Sequence, residues 1–186
     1  MIEISYGAVL LFISVTYLIV RAAVWIKNRG INVQRELVLL LAYICIAVVA
    51  RLTLFPIARV DGRIAPLLFD SSKILPPRAN FVPFAHLFDY KYVRTALLNI
   101  LGNTLMFVPI GFFWPMLFKS LNTPIKAIAA GLGFSMCIET VQLAFFERVS
   151  DVDDLILNTL GFAIGYVVFR ICSELYRKRK EKTMQR

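Results

Sequence analysis

Five long apolar stretches decide what this chain can fold into. They cover about residues 4–26, 37–54, 97–118, 127–146 and 155–172. A transmembrane helix needs about 20 mostly apolar residues, because the hydrocarbon core of a bilayer is roughly 30 Å thick. Of the whole chain, 59% is hydrophobic and 18% is charged, whereas soluble domains average about half and a quarter. We therefore expect an all-α, polytopic membrane bundle with about five transmembrane helices, and not a soluble enzyme or a disordered chain.

The lysines and arginines between these stretches predict how the bundle is oriented. Positive residues collect on the cytoplasmic side of membrane proteins. Here they are concentrated in residues 27–35, in the short segment 119–126 and in the tail. We predict that the N-terminus is outside and the C-terminus cytoplasmic. The basic tail then serves as an orientation signal that touches anionic lipid, and we expect no nucleic-acid partner.

The segment between the second and third stretches, about residues 55–96, is an exception to this rule. It should lie outside as a long extracytoplasmic loop, yet its basic residues outnumber its acidic ones. Besides Pro56 at its start, this segment contains Pro66, Pro76, Pro77 and Pro83, which forbid a long regular helix there. Long loops of this kind tend to be functional. We expect a folded segment on the outer surface; the alternative is a basic loop that merely touches lipid headgroups.

One acidic residue lies well inside the fourth stretch. Glu139 shares a helix face with Ser135 and Gln142, because the three are four and three residues apart. A carboxylate in hydrocarbon needs a partner, or it keeps its proton. Arg51, Arg148 or an arginine of the long loop could supply that partner. A buried structural ion pair, or a protonated glutamate that bridges two helices, is the alternative to a functional role.

Polar residues also begin the third and fifth stretches. Asn99 and Asn103 share a helix face, and interhelical hydrogen bonding alone would explain them. Ser150 is a good N-cap for the fifth helix, and acids suit the positive end of a helix dipole. Capping explains one or two of the acids in residues 151–154 better than all three. With Glu147 their carboxylates could also bind Mg²⁺ or Ca²⁺, but the spacing matches no known metal-binding loop, so we predict no metal site.

The predicted topology brings all these polar residues to the outer end of the bundle. It suggests a polar pocket roofed by cationic and aromatic residues of the long loop. The candidate ligand-binding residues are Arg51, Arg78, Asn80, Asn99, Asn103, Glu139, Gln142, Arg148, Asp151, Asp153, Asp154 and Asn158. Arginines and asparagines between apolar walls suit an anionic, lipid-linked ligand such as a phosphorylated polyprenyl carrier.

Several short motifs, taken in order, resemble a known family. They are residues 51–56 (RLTLFP), 80–84 (NFVPF), 99–103 (NILGN), 107–111 (FVPIG), 135–142 (Ser-x-x-x-Glu-x-x-Gln), 148–154 (RVSDVDD) and 158–161 (NTLG), with Gly165. Together they are similar to a VanZ-like domain over about residues 40–170. The resemblance implies a bacterial plasma-membrane protein, in a family named for a protein linked to low-level teicoplanin resistance. It implies no catalytic residues.

With this resemblance the chain divides into three parts. Residues 1–36 hold the first helix and a cytoplasmic loop, residues 37–172 form the VanZ-like membrane domain, and residues 173–186 are the basic tail. Three functions remain open. On the first hypothesis, the protein binds an anionic lipid-linked envelope component at the outer face and is associated with glycopeptide resistance. Alternatively, it is a membrane-embedded hydrolase or transferase acting on a lipid phosphate, with Glu139, Asp154 and His86 as acid–base candidates.

The third function is a non-catalytic membrane scaffold. Gly161 and Gly165 form a pair of small residues four apart, which lets another helix approach closely and could support a homo-oligomer. The predicted partners are therefore a membrane lipid or lipid-linked envelope precursor and, on the third hypothesis, a second copy of the chain. We expect no cofactor.

Overall fold

Five long helices make up most of the protein. The computed structural model describes residues 2–28, 30–55, 59–60, 62–70, 78–84, 93–146 and 148–184. The helices are α1 (Tyr6–Asn28), α2 (Val33–Leu54), α3 (Val93–Leu117), α4 (Pro124–Gln142) and α5 (Val152–Met184). Each of these five is long and apolar enough to cross a membrane. The predicted all-α membrane bundle is confirmed.

Capping residues fix where two of the helices begin. The Asn32 side chain accepts a hydrogen bond from the Arg35 backbone N–H at 3.0 Å, at the start of α2. The Thr123 hydroxyl does the same for α4 at 3.4 Å, and Pro124 occupies the first turn of that helix. Both turns lie at one end of the bundle. These caps satisfy backbone donors that a helix start otherwise leaves without partners.

Helix α5 is longer than the apolar stretch that predicts it. It continues through the basic tail to Met184. Two exposed ion pairs join residues four apart along this extension: Arg170 with Glu174 at 3.7 Å, and Arg177 with Glu181 at 3.8 Å. Such pairs support an isolated helix by a few tenths of a kcal/mol each. The division drawn at residue 173 from the sequence therefore falls inside a continuous helix.

Helices α3 and α5 form the closest contact of the bundle, and glycines make it. A Cβ atom on Gly161 would lie 2.0 Å from the Thr104 carbonyl oxygen, and one on Gly165 would lie 2.0 Å from the Val108 carbonyl oxygen. The two backbones therefore touch where side chains normally intervene. The glycine pair proposed above as a dimer contact is used within the chain. Beside it, fully buried Phe107, Ile110 and Phe162 form the main core.

Short strands cover one end of the bundle, which we call the strand end. Strand β1 (Ile2–Ile4) pairs antiparallel with β4 (Leu67–Phe69). Strand β5 (Ala79–Asn80) pairs parallel with β6 (Ser150–Asp151), just before α5. Strands β2 (Arg59–Val60) and β3 (Arg63–Ile64) form a hairpin, and its turn contains Gly62 in the left-handed conformation at φ 74°. The described part of the long loop is thus folded, as the sequence analysis expects.

The strand end has a small hydrophobic core of its own. Phe55, Leu67 and Phe145 are buried there, and they come from the end of α2, from β4 and from the α4–α5 connection. Tyr6, at the start of α1, packs its ring edge-on against Phe55 at 5.3 Å between centroids. Burial of these side chains anchors the N-terminus, the long loop and the α4–α5 connection to one another.

Helices α1 and α2 are joined by an ion pair between buried Arg21 and half-buried Glu36. A long cation near a helix end can reach water by snorkelling, but Arg21 is only 7% exposed. Its Nε donates to Glu36 Oε2 at 2.9 Å, and its Nη2 makes a second hydrogen bond to Glu36 Oε1. Two parallel bonds of this kind fix both charge and orientation. They therefore set how α1 lies against α2.

Candidate functional site

Glu139 lies near the strand end of α4 and is 7% exposed. Its Oε2 accepts two hydrogen bonds, both at 3.0 Å, from the Ser150 hydroxyl and from the Asp151 backbone N–H. The arginine partner that the sequence suggests for this carboxylate is not among these bonds. The reason is that the α4–α5 connection folds back over the end of α4 and brings the donors of β6 to the carboxylate. Ser150, expected to cap α5, serves Glu139 instead.

The three aspartates at the start of α5 each accept a hydrogen bond from another part of the strand end. Asp151 accepts the Asp153 backbone N–H at 2.9 Å, which caps the helix, and also the Asn80 side-chain amide at 3.2 and 3.3 Å. Asp153 accepts the Phe84 backbone N–H at 2.7 Å. Asp154 accepts the side-chain amide of Asn103 on α3.

These bonds give the whole acidic triplet a structural role that capping alone does not provide. The positive end of the α5 dipole favours the three charges, and each acid ties a different segment to the helix start. Asn99, one turn before Asn103 on α3, is exposed. Within the described ranges, no group of three or more His, Cys, Asp and Glu side chains is placed to hold a metal ion.

A second polar layer lies one turn deeper in the bundle. The Asn158 side-chain amide donates to the Ser135 hydroxyl at 3.0 Å and joins α5 to α4; Asn158 and Ser135 are 1% and 0% exposed. Nearer the strand end, in the last turn of α4, the Gln142 amide donates to the Thr53 carbonyl at 2.8 Å and joins α4 to α2. The polar face predicted for α4 is therefore a hydrogen-bonding face to neighbouring segments over the last two turns of the helix.

Three arginines of the predicted site contact carbonyl groups at the strand end. Arg148 donates from Nε to the Leu54 carbonyl at 2.8 Å. Arg51 donates to the Phe55 carbonyl at 3.3 Å, and its guanidinium lies 5.8 Å from the Tyr6 ring centre. These two contacts place cations at the C-terminus of α2, where the helix dipole favours them.

The third arginine, Arg78, is exposed at the edge of the strand end. It donates to the Phe146 carbonyl at 3.0 Å and lies 5.1 Å from the ring centre of the same residue. It also directly precedes β5. Of the acid–base candidates, Glu139 and Asp154 lie at the strand end, whereas His86 falls outside the described residues.

A groove of about 300 Å³ lies between the strand ends of α4 and α5 and strand β5. Its walls include Met136 and Leu143 from α4 and Leu155 from α5, and Glu139 and Asn80 form part of its polar end. The Glu139 Oε1 atom is buried and accepts no hydrogen bond from the described residues. A buried acceptor without a donor is costly, so Glu139 brings an unsatisfied polar atom to a residue of the groove wall.

Comparison with known protein families shows which family the chain resembles. The VanZ/LLP1 family model matches residues 38–173. The chain belongs to the VanZ/LLP1 family. This result confirms the resemblance inferred from the motifs and supports a membrane protein. The comparisons with curated proteins and with solved structures find no match.

In this VanZ/LLP1 protein, the family match spans the groove and every described candidate residue, and α1 precedes it. The structure brings together Asn80, Asn103, Glu139 and the aspartates. Asn158 lies in the deeper polar layer and Gln142 in the last turn of α4, and neither lines the described groove. Sequence reasoning missed the apolar groove walls. Met136, Glu139 and Leu143 recur at spacings of three and four, which was the available signal that they share a face.

Proposed function

We propose that this VanZ/LLP1 protein binds a lipid-linked component of the bacterial envelope at the outer face of the plasma membrane, and that this binding lowers sensitivity to lipid-bearing glycopeptides such as teicoplanin. One observation carries the proposal. A groove of about 300 Å³ combines apolar walls with a buried carboxylate oxygen that accepts no hydrogen bond from the described residues. An amphiphile with hydrogen-bond donors in its headgroup fits both properties.

The apolar wall suits a hydrocarbon chain that enters from the membrane plane. Met136 lines the groove and is 53% exposed, so it lies on the outer surface of the bundle. In a membrane that surface faces lipid. A chain lying along Met136, Leu143 and Leu155 could pass between the bilayer and the groove without crossing a polar barrier.

The polar end suits a headgroup that carries hydroxyl or amide donors. Such a donor to Glu139 Oε1 would make a charge-assisted hydrogen bond in a buried position, which is stronger than one between neutral groups. The neighbouring Asp151 carboxylate already accepts bonds from Asn80 and the Asp153 backbone. Glu139 also accepts bonds at one oxygen, and its other oxygen is buried without a donor from the described residues.

An anionic phosphate on the same ligand has a cation nearby. Arg78 is exposed and directly precedes β5, whose two residues line the groove. Arginine binds phosphate through paired N–H donors. Arg78 is thus the cation next to the groove residues in sequence, although its guanidinium contacts Phe146 and does not line the groove.

Mass spectrometry of the gently purified protein tests this proposal. We expect a co-purifying lipid phosphate in the wild type and its loss in Met136→Trp, which fills the groove. Val141→Trp is the matched control, because Val141 is 46% exposed on the same helix and does not line the groove. Teicoplanin tolerance should fall in Met136→Trp and persist in Val141→Trp. Equal lipid retention by both variants would show that the groove is not the binding site.

A membrane-embedded hydrolase or transferase is the second candidate, and the same atom favours it. A buried carboxylate with a free acceptor can take a proton from an attacking group. The Ser150 hydroxyl, which donates to Glu139 Oε2 at 3.0 Å and lines the same groove, is the candidate nucleophile beside it. Turnover of the bound lipid phosphate by purified protein, abolished in Glu139→Gln, would support the enzyme. Binding without turnover would support the first function, and absence of any bound lipid would favour a scaffold.

A further inference from the structure

A second cavity lies at the other end of the bundle, away from the strand end. Its volume is about 540 Å³, and it lies between the end of α3, the α3–α4 turn and α5. Three cations line it, Lys119, Arg170 and Arg177, against one acid, Glu174. This excess of positive charge distinguishes it from the groove at the strand end.

Two hydrogen bonds hold the cavity open in a defined shape. The Tyr166 hydroxyl and the Arg170 guanidinium both donate to the Asn122 carbonyl, at 3.2 and 3.3 Å. They tie the α3–α4 turn to α5. Tyr166 is only 3% exposed, so it is a fixed part of the core and not a mobile surface group. The backbone frame of the cavity is therefore fixed, while its basic side chains are exposed and two of them, Arg170 and Arg177, make exposed ion pairs with Glu174 and Glu181.

The floor of the cavity is apolar, which favours an anionic ligand with an acyl chain over a soluble anion. Pro115 and Phe169 line it beside the charged residues. Along α5, apolar residues give way to basic ones between Phe169 and Arg177. This change places the cavity at the depth where lipid headgroups meet acyl chains.

The positive charge continues around the same end of the bundle. A neighbouring cleft of about 290 Å³ is lined by Arg35 of α2 and shares Lys119 with the larger cavity. Basic pockets between transmembrane helices on the cytoplasmic side are known binding sites for phospholipid headgroups. Lys119 lies between the two sites and can contribute to either.

We propose that the cavity lined by Lys119, Arg170 and Arg177 binds the phosphate headgroup of an anionic phospholipid, with an acyl chain against Pro115 and Phe169. The lipid comes from the leaflet at this end of the bundle, which the basic residues predict to be the cytoplasmic one. The proposal is independent of the groove at the strand end. Charge complementarity and the apolar floor together support a lipid over a soluble anion.

Native mass spectrometry with defined lipids tests the site. The full-length protein is incubated with phosphatidylglycerol or phosphatidylcholine, and the bound fraction is measured for each. We expect preferential retention of phosphatidylglycerol, reduced roughly fivefold in Lys119→Gln, since one basic residue near a membrane surface contributes about that factor. A triple variant with Lys119→Gln, Arg170→Gln and Arg177→Gln should lose the preference altogether.

The tail provides a matched control on the same helix. Lys178→Gln, Lys180→Gln and Lys182→Gln remove the same net charge from residues that do not line the cavity. This triple variant should keep the preference within about twofold, in line with the local character of the contact. Equal loss in both triple variants would mean diffuse attraction to the basic helix and would overturn the proposal.

Two further measurements distinguish lipid binding from a folding defect and from binding of a free anion. Lys119 is exposed, so Lys119→Gln should leave the melting temperature of lipid-free protein unchanged. A selective loss of lipid at unchanged stability therefore reports on binding and not on folding. Inorganic phosphate is added as a competitor. If millimolar phosphate displaces the lipid completely, the cavity recognises a free anion, and the lipid assignment is wrong.

Discussion

The Glu139 carboxylate accepts a hydrogen bond from the Ser150 hydroxyl at 3.0 Å and so joins the end of α4 to strand β6. The same oxygen also accepts the Asp151 backbone N–H. Strand β6 pairs in turn with β5 of the long loop. One carboxylate therefore connects a membrane helix to the folded segment that covers it, and the same residue lines the groove.

Two substitutions of Glu139 should separate these roles. Glu139→Ala removes the acceptor for two donors, and each unsatisfied buried group costs about 1–3 kcal/mol. Glu139→Gln keeps an acceptor oxygen, so it should cost much less. We expect Glu139→Ala to lower the melting temperature in detergent clearly, and Glu139→Gln to remain close to wild type while losing bound lipid. Equal destabilisation by both would show that the charge, and not the hydrogen-bond acceptor, supports the fold.

The close α3–α5 contact predicts that alanine is poorly tolerated at Gly161 and Gly165. Gly161→Ala and Gly165→Ala would each place a methyl group 2.0 Å from a backbone carbonyl oxygen of α3. The helices must separate to accept it, so we expect loss of folded protein or a large fall in melting temperature. Gly102→Ala and Gly133→Ala are controls in helices with nothing within 4 Å of the added atom. Alanine should stabilise there by about 0.5–1 kcal/mol.

The outcome for Gly161 and Gly165 also bears on oligomerisation. Because α3 occupies this face, a variant should lose monomer stability before it loses any association between copies. Thermal unfolding and light scattering on the same sample distinguish the two. A well-folded Gly161→Ala protein with a changed oligomeric state would contradict the intramolecular contact.

The helices and the polar faces could be predicted from the sequence, because both follow from local patterns. Length and hydropathy identify each span, and the spacing of Ser135, Glu139 and Gln142 identifies one helix face. The partners of that face could not be predicted. Charge alone suggests an arginine for Glu139, whereas the structure supplies a hydroxyl and a backbone N–H. A backbone donor has no sequence signature, since every residue except proline carries one.

The packing partner of the glycine pair could not be predicted from the sequence either. Spacing indicates that some helix packs against Gly161 and Gly165, but it does not say whether that helix belongs to the same chain. The answer depends on how α3 and α5 are brought together by the rest of the bundle. The role of the acidic triplet is similar, because Phe84 and Asn103 reach it from distant parts of the chain.

The ion pair of Arg21 and Glu36 predicts energetic coupling between α1 and α2. Removing one member leaves the other charged and unpaired, which costs about 3–5 kcal/mol when a pair is fully buried; the Glu36 side chain is 17% exposed, so we expect a smaller cost here. Arg21→Met and Glu36→Gln should each destabilise the protein, and the double variant should cost much less than the sum. Unfolding of the four proteins in one detergent gives the coupling energy.

The exposed pair of Arg177 and Glu181 is the control for this cycle. Its atoms lie 3.8 Å apart and its side chains are 72% and 57% exposed. Exposed helix pairs contribute about 0.3–0.5 kcal/mol. A coupling energy for Arg21 and Glu36 as small as that of the control would mean that water reaches the α1–α2 pair and that it does not join the helices.

The strand pairing makes a prediction about membrane topology that cysteine labelling can check. Strand β1 pairs with β4, so Glu3 must lie on the same side of the membrane as Arg63 of the neighbouring hairpin. The basic residues predict that this side is outside and that Lys180, on the extension of α5, is cytoplasmic.

Single cysteines at Glu3, Arg63 and Lys180 are introduced after Cys45, Cys137 and Cys172 are replaced. An impermeant reagent applied to intact cells should label the first two, and it should label the third only after lysis. Labelling of Glu3→Cys and Arg63→Cys from opposite sides would contradict the fold itself. Labelling of both only after lysis would keep the fold but invert the protein, and the strand-end groove would then face the cytoplasm, where a glycopeptide outside the cell cannot compete for its ligand.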